Sequence, residues 1–455
     1  MLVQELERAL LRGDDDGGNE LVLQELRHVI RAAAQPAPRV GDAARMFFEP
    51  LEPFLIDGRA DRKRVGRIAR ASLEPIWSWL VRDLIPAEAR TLNEDINRAL
   101  LNDDRVRAEQ LVRALHERTV ERVKDAIAEA ADDEKARRRL AVLVGAPCAL
   151  DDISLILPIF ALRDTLADLA RRLPGHIRSF EHEQADQLKS LLEGAVARHS
   201  VALGPAKKSD VYLCGLVVAM SRLAAPWQLI RFATRAAESD DGARIAETPY
   251  AVAVTIVLSE LERMVDELRA ELKASRPTVS LLKGLHDAVR GLRSEIDLSV
   301  NPMWNKQLTA IRADVSGLLK TEIEATSGIV RRLLRPRPAK EIVPHSLLDV
   351  IDVNDAEMRV EFVNACRHYA NELAINETAA RTHSELTLYL ETGAKVLLDS
   401  LRHAGDADRP FRQSQVDAAI RFCGTVFGAE YAGLLAKAAE VAAHSAGAER
   451  TSARA

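Results

Sequence analysis

TPYAVAVTIVLSELERMVDELRAELKASRPTVSLLKGLHDAVRGLRSEI, residues 248–296, decides the fold class. Val254, Leu258, Leu261, Val265, Leu268 and Leu272 recur at alternating spacings of four and three residues, the a/d pattern of a helix that buries one seam. Thr248 can cap the free N–H groups at the start and Pro249 fits a first turn that needs no donor. Ser275-Arg276-Pro277-Thr278 interrupts the pattern, because proline cannot continue the backbone ladder. Leu282, Leu285, Val289, Leu292 and Ile296 then resume it. Two seams of matched length across a short proline turn predict an antiparallel hairpin over 249–298, its leucines buried within the chain and not between two copies. Beyond Asn301-Pro302, the residues Leu308, Ile311, Val315, Leu318 and Leu319 carry the same face into a third helix ending near Arg335.

The rest of the composition agrees with that reading. The chain has 455 residues, 47% hydrophobic and 29% charged, which is ample for several buried cores. Aromatic residues are only 4%. Sheets draw on aromatic and β-branched side chains, so this deficit favours helices made of Ala, Leu, Glu and Arg. The predicted fold is all-α: multi-helix bundles around a heptad-patterned antiparallel hairpin, with strand nearly absent. Lysine supplies 13 of the 63 basic residues, and this preference for arginine, with abundant alanine, points to a GC-rich bacterial genome. A net charge of -5 gives no global pull toward nucleic acid, and no nucleic-acid partner is expected. Cys148, Cys214, Cys366 and Cys423 are far apart and set among apolar neighbours, as expected of buried reduced thiols. Acidic residues follow Met1 at once, and no apolar run reaches the length of a membrane span, so a cytoplasmic protein is expected.

Breaks in the periodicity divide the chain into three helical parts: 1–204, then 205–335 with the hairpin, then 341–445. Short amphipathic helices over 2–11 and 20–34 precede a stiff linker at Gln35-Pro36-Ala37-Pro38. The segment 43–86 holds five of the 19 aromatic residues: Phe47, Phe48, Phe54, Trp77 and Trp79. A helix from about Asp61 to Leu84 is predicted there, with Val65, Ile68, Ser72, Ile76 and Trp79 on one face. Residues two apart on a helix point about 200° apart, so Trp79 is expected inside, and Trp77 outside or under the Phe47-Phe48 helix. Over 59–82 seven basic residues oppose two acidic ones, a net +5. Asn354 and Glu357 have the spacing of a capping box at the head of the C-terminal part, where helices over about 355–380 and 383–403 are expected.

The functional candidates are few. Lys63, Arg67, Arg70 and Trp77 are candidate surface contacts of a basic amphipathic helix on anionic lipid. Arg331, Arg332 and Arg335, at the start of a proline-stiffened basic linker, are candidates of the same kind. Asp151-Asp152 followed by Asp164 and Asp168 invites comparison with the Mg²⁺–diphosphate sites of helical isoprenoid synthases. The full DDxxD pattern is missing, however, so capping and arginine pairing are the simpler roles for these aspartates. Walker, GxGxxG, GxSxG, zinc and kinase motifs are absent from the sequence. No cofactor is therefore expected. Regular seams with scattered polar residues favour binding over catalysis: a helical interaction or scaffold protein with a protein partner. A peripheral adaptor on anionic membrane is the first alternative and an Mg²⁺-dependent helical enzyme the second. Oligomeric state stays open at this point.

Overall fold

In the computed structural model, residues 42–57, 64–144, 149–199, 205–274 and 278–452 are described. The elements expected at 2–11, 20–34 and 35–38, together with Lys63, Cys148 and the turn at 275–277, lie outside the described residues. Helix of all kinds accounts for 83% of the structure, so the all-α expectation holds. The described strands, Leu55–Ile56 (β1) and Ile68–Ala69 (β2), have two residues each and pair with one another. The chain divides into two compact units: residues 1–61 with 69–161, and residues 62–68 with 162–455. The boundary expected at 204/205 falls inside the second of these.

The first unit contains α1 (Asp42–Phe48), α2 (Leu73–Trp79), α3 (Pro86–Leu101), α4 (Arg105–Asp132), α5 (Glu134–Val144) and α6 (Ala149–Ala161). Pro86 opens α3, as its place in the sequence suggests, and the Asp104 carboxylate caps α4 by accepting from the Arg107 N–H at 3.0 Å. The hairpin of α3 and α4 lies against α1. Phe47, Phe48, Phe54, Ile76, Trp79, Leu115 and Phe160 form the core. Trp79 is buried, whereas Trp77 is half-buried under the rings of Phe47 and Phe48, at 5.1 and 5.9 Å between centroids.

The second unit contains α7 (Arg163–Arg172), α8 (His182–His199), α9 (Pro205–Met220), α10 (Leu229–Ala237), α11 (Gly242–Ala246), α12 (Ala251–Lys273), α13 (Val279–Glu295), α14 (Pro302–Leu334), α15 (Val350–Leu373), α16 (Asn376–Arg402), α17 (Arg409–Phe427) and α18 (Ala429–Ser452). Every heptad residue of α12 and α13, from Val254 to Leu292, is buried within the chain, as is Ile296 just beyond α13. The seam has several partners. Helix α12 packs on α10 and α14 as well as α13, and α13 lies against α15. A heptad pattern fixes which face goes inward but not which helix meets it. Asn301 caps the 33-residue α14 by accepting from the Trp304 N–H at 3.2 Å. That helix extends to α15 and α16, which form a bundle with α17 and α18.

Two local expectations are corrected. The single helix expected over 61–84 is absent: residues 64–67 make a turn, 68–69 a strand and 70–72 a 3₁₀ turn before α2 begins. Gly66 is the reason. Its φ is +70°, and a Cβ there would stand 2.5 Å from Val217 Cγ2. Gly66→Ala combines an unfavourable left-handed backbone with overpacking, which typically costs about 1–3 kcal/mol. A lower urea midpoint for the second unit is expected, and an unchanged one would contradict this account. The second correction concerns Asn354 and Glu357, which accept from Arg421 instead of forming a capping box. Asp349 caps α15, accepting from the Ile351 N–H at 2.8 Å.

Candidate functional site

Residues 64–68 form a strap held on α12 by buried charge. The Val65 N–H donates to Ser259 Oγ at 2.9 Å. Arg64, whose side chain is 5% exposed, donates to Glu262 at 2.6 Å and also to Asp266. Arg67 donates through Nε to Glu260 Oε1 at 2.6 Å, and Arg263 reaches the other oxygen at 3.0 Å. Burial alone would raise the Glu260 carboxyl, but Arg67 and Arg263 reverse that and hold it below the usual carboxylate range. Arg70 is half-exposed and donates to Asp57 at 3.0 Å and to Glu52 at 3.4 Å. The expected basic amphipathic helix is thus not one surface. Arg67 points inward, Arg70 is paired with two carboxylates, and Trp77 is partly covered.

The four aspartates fall in both units. Asp151 and Asp152 begin α6 in the first unit, with Asp152 buried, and Pro158 lies inside the same helix. Asp164 and Asp168 belong to α7 of the second unit, where Asp164 pairs with Arg163 and Asp168 with Arg171 and Arg172. Among the described residues no group of three His, Cys, Asp or Glu side chains gathers to hold a metal. Cys214, Cys366 and Cys423 are buried thiols whose pKa values burial pushes up, that of Cys423 to about 12. Such thiols stay protonated and are poor nucleophiles.

Arg331, Arg332, Arg335 and Arg337 come together around the end of α14, where with Glu341 they line an open cleft of about 490 Å³. Gln415, 1% exposed, supports it from below: its amide donates to the carbonyls of Leu333 at 2.9 Å and Arg335 at 3.0 Å. The sequence carries no signal for Gln415, since a lone glutamine on a helix has no spacing to mark it. Arg337 lies over the Phe411 ring at 5.1 Å and Arg331 over Tyr389 at 5.7 Å. The segment between this cleft and α15 is tied to the start of α17 by His345 N–H to the Ala407 carbonyl at 2.8 Å and Leu348 N–H to Ser414 Oγ at 3.0 Å. Val343 and Leu347 of this segment, with Val350 and Ile351 of the first turn of α15, are nevertheless between 64% and 76% exposed.

Comparison with protein-family models, with curated proteins and with solved structures finds no match to this chain. Among the described residues, no helix is long and apolar enough to cross a membrane.

Proposed function

We propose that this chain is a helical interaction protein that receives the apolar face of a partner's helix along residues 343–358. One observation carries the reading: large apolar side chains are presented to solvent by a backbone that is pinned in place. Val343 and Leu347 project from the segment tied to α17. Ile351 and Met358 continue from it seven residues apart, which is one face of α15. Scattered exposed leucines are ordinary, but several large apolar side chains exposed along one pinned stretch mark a candidate interface. A second helix laid along this stretch would add to the bundle by the packing already used inside it.

The test is photo-crosslinking from position 347 or 351 in the native host, with exposed Leu101 of the first unit as control. One defined protein should be captured from 347 and 351 and not from 101, and Leu347→Glu with Ile351→Glu should abolish its co-purification while leaving the helical signal intact. Adducts identical to those from position 101, or a partner retained by the charged variant, would reject the proposal. A second reading, contact with an anionic membrane, is favoured by exposed Arg331, Arg332 and Arg335 preceding Val343 and Leu347 in one short segment. Lipid adducts in place of protein adducts would select it.

A further inference from the structure

The arginine cleft poses a separate electrostatic problem. Four guanidinium groups and one carboxylate line it, a formal surplus of three positive charges. Like charges held near one another repel even in water, and proteins commonly relieve this with interleaved acidic residues. Elsewhere in the second unit they do: Arg359 has Glu322 and Asp355, and Arg412 has Asp408. Arg331 has one long contact to Glu385 at 3.9 Å, and among the described residues no ion pair is formed by Arg332 or Arg335.

A simpler role for these residues is compensation of the partial negative charge at the end of α14. Arg331 and Arg332 occupy its last turn and suit that role. Arg335 and Arg337 do not, because the helix ends at Leu334 and the dipole's influence is confined to its final turn. Their placement has other causes. Gln415 fixes the backbone on either side of the helix end, Pro336 and Pro338 restrict the chain beyond it, and Phe411 supports Arg337. The charges are therefore gathered on a rigid support with fewer acids than guanidinium groups around them. A guanidinium offers paired donors in a flat fork, the geometry that phosphate oxygens take best.

We propose that Arg331, Arg332, Arg335 and Arg337 form a binding site for a multiply charged phosphate group, free or as a lipid headgroup. The ligand carries at least two negative charges, against a surplus of three positive charges in the cleft lining. This inference does not depend on the apolar docking stretch, and either can fail alone.

Calorimetric titration of the full chain with inorganic tripolyphosphate tests the free anion, and co-sedimentation with phosphatidic acid vesicles tests the headgroup. Saturable binding is expected in at least one arm, weakened at least about tenfold by Arg332→Gln with Arg335→Gln, since each charge-assisted contact is worth about a factor of ten or more. Lys395→Glu with Arg402→Glu alters net charge away from the cleft and should leave the affinity within about twofold, a sub-kcal/mol change. Tripolyphosphate binding with no vesicle binding assigns a soluble ligand, and the reverse assigns a lipid. Absence of binding in both arms, or equal weakening by both double variants, overturns the proposal. The glutamine variants must retain the wild-type melting temperature. If they do not, Arg332→Lys with Arg335→Lys is used in their place, keeping the charge but losing the fork, and unchanged affinity there also overturns it.

Discussion

Arg67→Met is expected to destabilise the second unit by about 3–5 kcal/mol, the usual consequence of leaving one member of a buried ion pair without its partner. Glu260 is 4% exposed, so its charge stays largely desolvated when Arg67 is gone. Arg263 still holds one of its oxygens, so the upper end of that range is not expected. The companion variant, Arg67→Met with Glu260→Met, removes both charges and should recover most of the loss, because apolar replacement of a buried pair is often near neutral. Urea unfolding followed through Trp227 and Trp304, both in the second unit, measures it. A single variant as stable as wild type would mean that the strap is not held by this pair.

The same pair gives a pH signature. Glu260 has a depressed pKa in the folded protein, so its contribution is complete above the unfolded carboxyl value of about 4.3. It is lost as pH falls from there through the lower folded value. Wild type should therefore lose stability more steeply below about pH 4.3 than the double methionine variant, which has no carboxylate at this position to protonate.

How far the sequence can be read depends on the distance over which each interaction acts. The a/d residues from Val254 to Leu292 are buried as their spacing required, because periodicity is a local property of one helix. Leu318, beside the last of the seam positions, is only half-buried. Residues 64–68 depart from the expected helix because their partners Glu260, Glu262 and Asp266 lie some 200 residues along the chain. No spacing rule connects Arg67 with Glu260. The one available hint is Glu260 itself, a carboxylate directly following the apolar run of α12. The break between α15 and α16 comes at Ala374 and not near residue 380, for a different reason. Ala374 ends α15 in a left-handed conformation with φ 57°, and alanine gives no warning of it. Arg331, Arg332 and Arg335 are visible as a charge run, but the cleft also needs Gln415, Phe411 and Tyr389 from two other helices.

Phe47→Ala is expected to destabilise the first unit by about 3–5 kcal/mol, the range for removing a buried aromatic ring from a packed core. Its side chain is fully buried, and its ring meets Phe48, Trp77, His116 and Phe160 at centroid distances of 5.1, 5.1, 4.7 and 4.9 Å. Those four residues come from α1, α2, α4 and α6, so one ring joins four helices. Truncation leaves a cavity bounded by rigid rings, which cannot collapse as readily as one lined by flexible chains. The hydrogen bond of buried His116 is unaffected in composition, since its Nε2 donates to the Phe47 main-chain carbonyl at 2.8 Å and alanine keeps that group. The effect therefore measures packing and not a lost polar contact. Phe47→Leu fills much of the space and should cost clearly less. Trp77 and Trp79 are the natural reporters, the first in direct contact with the deleted ring. A variant in which no tryptophan transition moves from its wild-type position would show that the aromatic cluster, dense as it is, does not hold the first unit together.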